Sequence, residues 1–177
     1  LATSSNQLLL GRADHEETHG TDLYGKVLGV IGAGRIGRNV IKLAHAFGMK
    51  TVVYDPFLDQ KAAEELGTEI VNLDKMAEVS DVVTLHTPLT ENNRHMVNEA
   101  LIHRLKDGVY IINTARGELI DTSALISALN SGKIAGAGLD VLEDEKLMNI
   151  DEEELLLKRG SDTKETLEHV VANTVLM

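Results

Sequence analysis

The stretch "KVLGVIGAGRIGRNVIKLAHAFG", residues 26–48, decides the fold. It begins as an apolar run that is typical of a buried strand and continues with the spacing of a helix. Gly32, Gly34 and Gly37 fall where the strand ends and the helix begins. In such a motif the first glycine permits a tight turn, the second lets a phosphate approach the backbone, and the third lets helix and strand pack closely. The stretch therefore predicts a strand, a phosphate-binding turn and a helix.

Six β-rich runs alternate with helix-like runs along the chain. The predicted strands cover residues 26–31, 50–54, 69–71, 81–86, 109–113 and 134–140. Side chains that can cap the first turn of a helix are Asp59, Asn98 and Asp121. Glycines that can end a helix are Gly67, Gly108 and Gly132. This alternation predicts an α/β fold, a Rossmann-like doubly wound parallel sheet with helices on both faces.

An acidic residue follows the second predicted strand. Asp55 lies 18 residues past Gly37, close to the ~20-residue spacing of an acid that bonds the adenosine ribose hydroxyls in dinucleotide-binding domains. A carboxylate there repels a 2′-phosphate, and no arginine follows at once. We therefore predict a dinucleotide cofactor, with NAD favoured over NADP. The alternative is a glycine turn with a purely structural role.

Composition excludes several classes of protein. At 177 residues, with 43% hydrophobic and 25% charged residues, the chain resembles a soluble globular protein with one core. It has no cysteine, which excludes disulfides, a thiolate nucleophile and a cysteine zinc site. The net charge of −11 opposes nucleic-acid binding, because phosphate neutralisation needs a basic surface. No window approaches the ~20 apolar residues of a membrane span, so we expect a cytoplasmic protein without membrane or nucleic-acid partners.

The segment "HEETH", residues 15–19, matches a zinc-protease pattern that works only on a helix. From residue 11 to residue 22 the only apolar side chain is that of Ala13, so no apolar stripe would hold such a helix on a core. Gly20 also follows the second histidine directly. We therefore predict no metal site, and we interpret residues 1–22 as an arm or the remnant of a linker.

Three later stretches follow the glycine motif in order: "LHTPLTENNRHMVN", "INTARGELID" and "GKIAGAGLDVLEDE". With the glycine motif, they resemble the cofactor domain of the NAD-dependent D-isomer-specific 2-hydroxyacid dehydrogenases, from about residue 23 to about residue 145. The resemblance implies an oxidoreductase that uses NAD and transfers a hydride between nicotinamide and a D-2-hydroxy acid or 2-oxo acid. The sequence "EDEKLMN" and the insertion after it lean towards the D-lactate dehydrogenase-like branch.

The resemblance also implies roles for individual residues. The pyrophosphate side of the cofactor would be lined by Gly32, Gly34, Arg35, Ile36 and Gly37, with Asp55 on the ribose. The adenosine and ribose path would be lined by Thr87, Pro88 and Asn93. The nicotinamide end would be reached by Thr114, Ala115 and Arg116, and the nicotinamide amide would meet Asp140.

Two residues carry the implied catalytic roles, Arg116 and Glu145. Arg116 would hold the substrate carboxylate and polarise its carbonyl, and a planar guanidinium at the end of a buried strand suits that task. The alternative is a salt bridge from Arg116 to Glu118 or Asp121. Glu145 would support a catalytic histidine. Without the resemblance, it would be interpreted as a solvated carboxylate in an acidic run.

His169 lies 24 residues after Glu145 and is a candidate for that histidine. It shares the polar face of a predicted amphipathic helix with Glu165 and Glu168. In the family the catalytic histidine comes in a Pro-His step after a further strand, and this sequence has neither, so we predict that His169 is not catalytic. For His86, at the end of a predicted strand, we predict local hydrogen bonding that shapes its loop.

These observations lead to two hypotheses about the chain. The first is a dinucleotide-binding domain over residues 23–177, with an acidic helical extension at 143–177 and no substrate domain. This chain is expected to bind NAD(H). By itself it is not expected to reduce pyruvate or glyoxylate, since only the intact enzyme would bind the small 2-oxo acid. The second is an NAD(H)-sensing, corepressor-like interaction module with the same fold. A homodimer is compatible with either hypothesis.

Overall fold

The computed structural model describes residues 21–143. The segment "HEETH" and the residues Glu145 and His169, for which predictions were made, lie outside this range. The strands are β1 (Val27–Ile31), β2 (Lys50–Tyr54), β3 (Glu69–Ile70), β4 (Val82–Leu85), β5 (Val109–Asn113) and β6 (Ile134–Leu139). The helices are α1 (Arg35–Ala46), α2 (Gln60–Leu66), α3 (Leu73–Val79), α4 (Glu99–Arg104) and α5 (Thr122–Asn130), with a 3-10 turn at Gly117–Leu119. Each predicted strand is present within one residue of its predicted bounds.

The six strands form one parallel sheet in the order β3-β2-β1-β4-β5-β6. After β3 the chain crosses the sheet, and β4 pairs with β1 on the side opposite β2. Gly29 in the centre of β1 therefore pairs with Val52 on one side and Val83 on the other. This order is that of the Rossmann fold, and the fold prediction is confirmed.

Two hydrophobic clusters cover the two faces of the sheet. The cluster beneath α1 and α2 includes Leu28, Val30, Ile41, Val53 and Ala63. The larger cluster beneath α3, α4 and α5 includes Ile31, Met76, Val83, Leu101, Ile111 and Leu125. Adjacent residues of β1 contribute to opposite clusters because side chains alternate along a strand. Each fully buried aliphatic side chain favours folding by ~1.5–3 kcal/mol, so the two clusters fix the sheet between its helices.

The three predicted N-caps are confirmed, but one of the three glycines predicted to end a helix is not. The C-cap of α4 is Leu105, three residues before Gly108, whereas Gly132 follows the C-cap of α5 in the left-handed conformation. Asp59, Asn98 and Asp121 each accept a hydrogen bond from the backbone N–H three residues later, at 2.8, 3.1 and 3.1 Å. Gly67 ends α2 in the left-handed conformation, with φ of 68°. Asn72 caps α3 in the same way at 2.7 Å and was not predicted from the sequence.

No helix within residues 21–143 is long and apolar enough to cross a membrane. In the same part of the chain, no three His, Asp or Glu side chains are grouped so that they could hold a metal ion.

Asp81 joins three strands at their amino ends. Its Oδ2 accepts a hydrogen bond from Val27 N at 2.8 Å, and its Oδ1 accepts one from Lys106 Nζ at 2.9 Å. Burial raises the pKa of the Asp81 carboxyl, but these two hydrogen bonds and the charges of Lys106 and Lys26 outweigh burial and lower it. The ionised carboxylate therefore stabilises the edge where β1, β4 and β5 begin.

Asp81→Asn is expected to lower the free energy of unfolding by about 1 kcal/mol at neutral pH, because the charged hydrogen bonds are lost at a partly exposed site. The pKa of Asp81 is lower in the folded chain than in the unfolded chain. Its contribution is therefore present above about pH 4 and is lost as the pH falls through the folded value. Urea unfolding at neutral and acidic pH measures both effects.

The matched control is Glu65→Gln, which neutralises an exposed carboxylate on α2. It should leave the free energy of unfolding nearly unchanged at either pH. If wild type and Asp81→Asn differed equally at neutral and strongly acidic pH, the ionised Asp81 would not be the source of the stability.

Candidate functional site

The loops after five strands lie at the carboxyl edge of the sheet. The loop after β1 and the start of α1 carry Gly32, Gly34, Arg35, Ile36 and Gly37; the other loops carry Asp55 after β2, Thr87, Pro88 and Asn93 after β4, Thr114, Ala115 and Arg116 after β5, and Asp140 after β6. The chain crosses over between β1 and β4, and ligands of open α/β sheets bind at the carboxyl edge of such a switch point. All predicted site residues within 21–143 therefore lie at one edge.

The glycine turn, residues 32–37, is crowded at its first and third glycines and open at the second. Gly32 has φ of 93°, and a Cβ there would lie 2.8 Å from the backbone oxygen of His86. A Cβ at Gly37 would overlap the carbonyl oxygen of Gly32. At Gly34, the N-cap of α1, a Cβ would meet no atom within 4 Å, and no side chain caps the helix. The first turn of α1 therefore begins beside open space and without a side-chain cap, as at helix N-termini that can accept a phosphate group.

Asp55 is fixed against this turn. Its Oδ2 accepts a hydrogen bond from Ala33 N at 2.7 Å, and its Oδ1 accepts one from Phe57 N at 2.8 Å. A carboxylate has about four lone-pair sites, so capacity remains to accept ribose hydroxyls. Arg38, which the sequence analysis missed, donates from Nε to Ala33 O at 2.9 Å and braces the same turn. The signal for Arg38 in the sequence was its position directly after Gly37.

The loop after β4 is closed by Asn93. The side-chain oxygen of Asn93 accepts from Thr90 N at 2.7 Å, and its amide nitrogen donates to Pro88 O at 2.8 Å. At the start of this loop, His86 Nε2 lies 3.0 Å from Thr84 Oγ1, and burial lowers the pKa of the His86 imidazole. A neutral His86 in a local hydrogen bond agrees with the role predicted for it.

Arg116 is presented by the loop after β5. Asn113 is 1% exposed, and its side chain accepts from Ala115 N at 3.0 Å and donates to Arg116 O at 2.8 Å. The Arg116 side chain is exposed and donates from Nη1 to Ala115 O at 2.6 Å. Its guanidinium forms no ion pair with Glu118 or Asp121, so that alternative is not observed among residues 21–143. Asn113 was missed by the sequence analysis, although a polar residue ending an apolar strand was a usable signal.

Asp140 completes the edge. It follows β6, and its backbone N–H donates to Asn113 O at 3.0 Å, which continues the pairing with β5 by one residue. Its side chain is exposed on the same edge as Arg116.

The sheet order, the open glycine turn and the adjacent carboxylate define a dinucleotide-binding domain of the Rossmann type. Residues 2–161 match the family model described as the D-isomer specific 2-hydroxyacid dehydrogenase, NAD binding domain. The chain belongs to this family as its NAD-binding domain, so the predicted family and the predicted cofactor, NAD, are both confirmed.

Relatives and solved structures agree with this assignment. Hydroxypyruvate reductase of Thermotoga maritima is 42% identical over 96% of this chain and 57% of that protein. D-lactate dehydrogenase of Escherichia coli is 46% identical over 72% of this chain and 38% of that protein. D-lactate dehydrogenase of Aquifex aeolicus, solved with NAD and lactic acid, has a TM-score of 0.84 and 36% identity over 98% of this chain and 52% of that chain.

The chain thus spans between about two fifths and three fifths of the length of these three proteins. The alternative hypothesis, a corepressor-like module, gains no support from them, because all three are named as reductases or dehydrogenases.

The open and closed sides of the glycine turn predict opposite effects of two substitutions. Gly34→Ala places a methyl group in the opening and should weaken NADH binding while changing the free energy of unfolding by less than about 1 kcal/mol. Gly37→Ala forces backbone atoms apart and should destabilise the fold by roughly 1–3 kcal/mol. Calorimetric NADH titration and urea unfolding measure the two effects. Gly34→Ala with unchanged NADH affinity would argue against a pyrophosphate at this turn.

Proposed function

We propose that the protein carrying this chain transfers a hydride between NAD(H) and a small D-2-hydroxy acid or 2-oxo acid. The observation that carries the proposal is Arg116, whose exposed guanidinium follows β5 on the same edge as the open glycine turn. A guanidinium has five N–H donors, and the bond from Nη1 to Ala115 O leaves enough of them for two parallel hydrogen bonds to the carboxylate of a 2-oxo acid. The relatives support the same class of reaction by their names, which include hydroxypyruvate reductase and D-lactate dehydrogenase.

In this proposal each loop contacts a different part of the cofactor. The pyrophosphate lies along Gly32, Gly34, Arg35, Ile36 and Gly37. The adenosine and its ribose lie along Asp55, Thr87, Pro88 and Asn93. The nicotinamide end lies along Thr114, Ala115, Arg116 and Asp140. Asp55 is supported as the ribose ligand by its position 2.7 Å from Ala33 N, where a carboxylate would repel the 2′-phosphate of NADP.

The chemistry divides between the cofactor and the chain. NADH, when bound, supplies the hydride that reduces the carbonyl carbon of the oxo acid. Arg116 grips the substrate carboxylate, which holds the carbonyl carbon in position. It also draws electron density from the carbonyl oxygen. We also propose that Glu145 supports the histidine that gives the oxygen its proton.

We test the reaction on the full gene product that carries this chain, with pyruvate and glyoxylate as substrates. Arg116→Gln should lower kcat/KM by roughly a hundredfold, because the bidentate contact with the substrate carboxylate is lost. Arg116→Lys should recover only part of the loss. NADPH in place of NADH should also give a lower kcat/KM, because of the Asp55 charge.

The exposed Glu91 provides a matched control, since Glu91→Gln changes one charge in a neighbouring loop and should leave kcat/KM unaltered. Reduction of both acids by Arg116→Gln at the wild-type rate would contradict the role of Arg116. Failure of the wild type to reduce any small 2-oxo acid would contradict the reaction itself.

We further propose that the protein is a homodimer. Ile36, Leu43 and Phe47 are 58%, 60% and 63% exposed, and their spacing puts them on one face of α1 and its C-cap, Phe47. An apolar stripe of this kind is typical of a surface that another protein covers. A second copy of the chain is the simplest occupant of this stripe. Separately, we propose that the protein is cytoplasmic.

Leu43→Glu should convert a dimer to a monomer, because it puts a charge in the centre of the apolar stripe. Sedimentation velocity measures the change in mass. Phe57→Glu introduces the same charge at a side chain that is 96% exposed and off the stripe, and it should leave the dimer intact. A monomeric wild type at micromolar concentration would contradict the proposal.

A further inference from the structure

Glu143 connects three segments of the carboxyl edge. Its side chain is 16% exposed, and its Oε1 accepts hydrogen bonds from Arg94 Nη2 and His95 Nε2, both at 2.7 Å. Its Oε2 lies 3.5 Å from Thr122 Oγ1, at the outer limit of a hydrogen bond. Arg94 and His95 follow β4, Thr122 begins α5, and Glu143 itself follows β6. One carboxylate therefore holds the segment after β6 against the segments after β4 and β5.

The partner side of this contact is itself fixed by the backbone. His95 has φ of 51°, an uncommon conformation for a residue other than glycine. Its N–H donates to Glu118 O at 2.8 Å, and two residues later Val97 forms an isolated parallel bridge with Ile120. The imidazole of His95 is thus presented to Glu143 from a segment that is already anchored beside the 3-10 turn after Arg116.

Gly117 shows why the position of Glu143 matters to the site. A Cβ at Gly117 would overlap the carbonyl carbon of Leu142 and the backbone nitrogen of Glu143, so these segments cross in direct contact. Gly117 directly follows Arg116, and Asp140 lies three residues before Glu143. The crossing is thus adjacent in the chain to both residues proposed for the nicotinamide end. The partners of Glu143 named above include no residue of the glycine turn and not Asp55. Asn93, the neighbour of Arg94 on the proposed adenosine path, is held by its own hydrogen bonds to Thr90 N and Pro88 O.

We propose that Glu143 is a positioning residue for the nicotinamide end of the site. Its contacts with Arg94 and His95 hold the backbone beside Arg116 and Asp140 in the arrangement that nicotinamide and the oxo acid require. It acts through these neighbours and is not assigned a contact with the cofactor or the substrate. The inference deepens the proposed function and rests on it.

The test separates the two ends of the cofactor by using the 177-residue chain with NADH and with ADP as probes. ADP carries the adenosine and pyrophosphate that Asp55 and the glycine turn would bind, but it lacks the nicotinamide. Glu143→Gln should weaken NADH binding by roughly tenfold, as expected for the loss of a charged hydrogen bond, and should leave ADP binding within about twofold. Calorimetric titrations give both affinities, and a thermal melt records the stability of each variant.

A second pair of variants tests the same contact from the other side. His95→Gln keeps an N–H donor in reach of Glu143 and should retain most NADH affinity, whereas His95→Ala should lose affinity for NADH and not for ADP. This pair decides the question if Glu143→Gln fails to fold. Glu91→Gln, in the same loop as Arg94, is the charge-matched control and should bind both probes as the wild type does.

The outcomes distinguish this inference from the proposed function. Equal losses for NADH and ADP in Glu143→Gln would overturn the inference, because they would indicate general loss of structure. Unchanged NADH affinity in both Glu143→Gln and His95→Ala would also overturn it while leaving the proposed function intact. A wild-type chain that binds neither probe would overturn the proposed function, and the inference with it.

Discussion

The close approach of Gly37 to the carbonyl of Gly32 is the contact on which the rest of the structure depends. Because no side chain separates them, α1 packs directly on the end of β1, and its first turn faces the carboxyl edge of the sheet. The buried residues of α1, such as Ile41, then cover Val30 and Val53 on one face of the sheet. The same approach leaves Gly34 at the opening, so one backbone geometry serves both packing and binding.

Much of the fold could be predicted from the sequence because its signals are local. Strands buried on both faces are short apolar runs, and caps such as Asp59 and Asn98 act within three residues of their own position. The cap at Asn72 also acts locally but was missed, and it follows a strand of only two residues. In that region the pairing of β3 with β2 determines the structure, and pairing between strands distant in sequence leaves no local pattern.

The sequence indicated which residues lie at the carboxyl edge of the sheet, but it indicated less well the residues that hold them in place. Asp55 and Arg116 follow strands directly, so the rule that ligands bind at strand ends indicates them. Arg38 and Asn113 support them through backbone atoms five and three residues away. Glu143 bonds side chains 49 and 48 positions away. The contacts of Glu143 depend on which loops meet in three dimensions. For that reason Glu143 was interpreted from the sequence as part of an acidic helical extension.

The ion pairs at the amino edge of the sheet are sites where substitutions can change the stability of the domain. Asp81 with Lys106, and Lys133 with Asp107, lie before strands begin, at the edge opposite the cofactor loops. These ion pairs therefore stabilise the fold from the end of the strands that lies away from the cofactor loops. Substitutions at the amino edge can adapt the domain to a different temperature or pH without altering the surface that binds the cofactor.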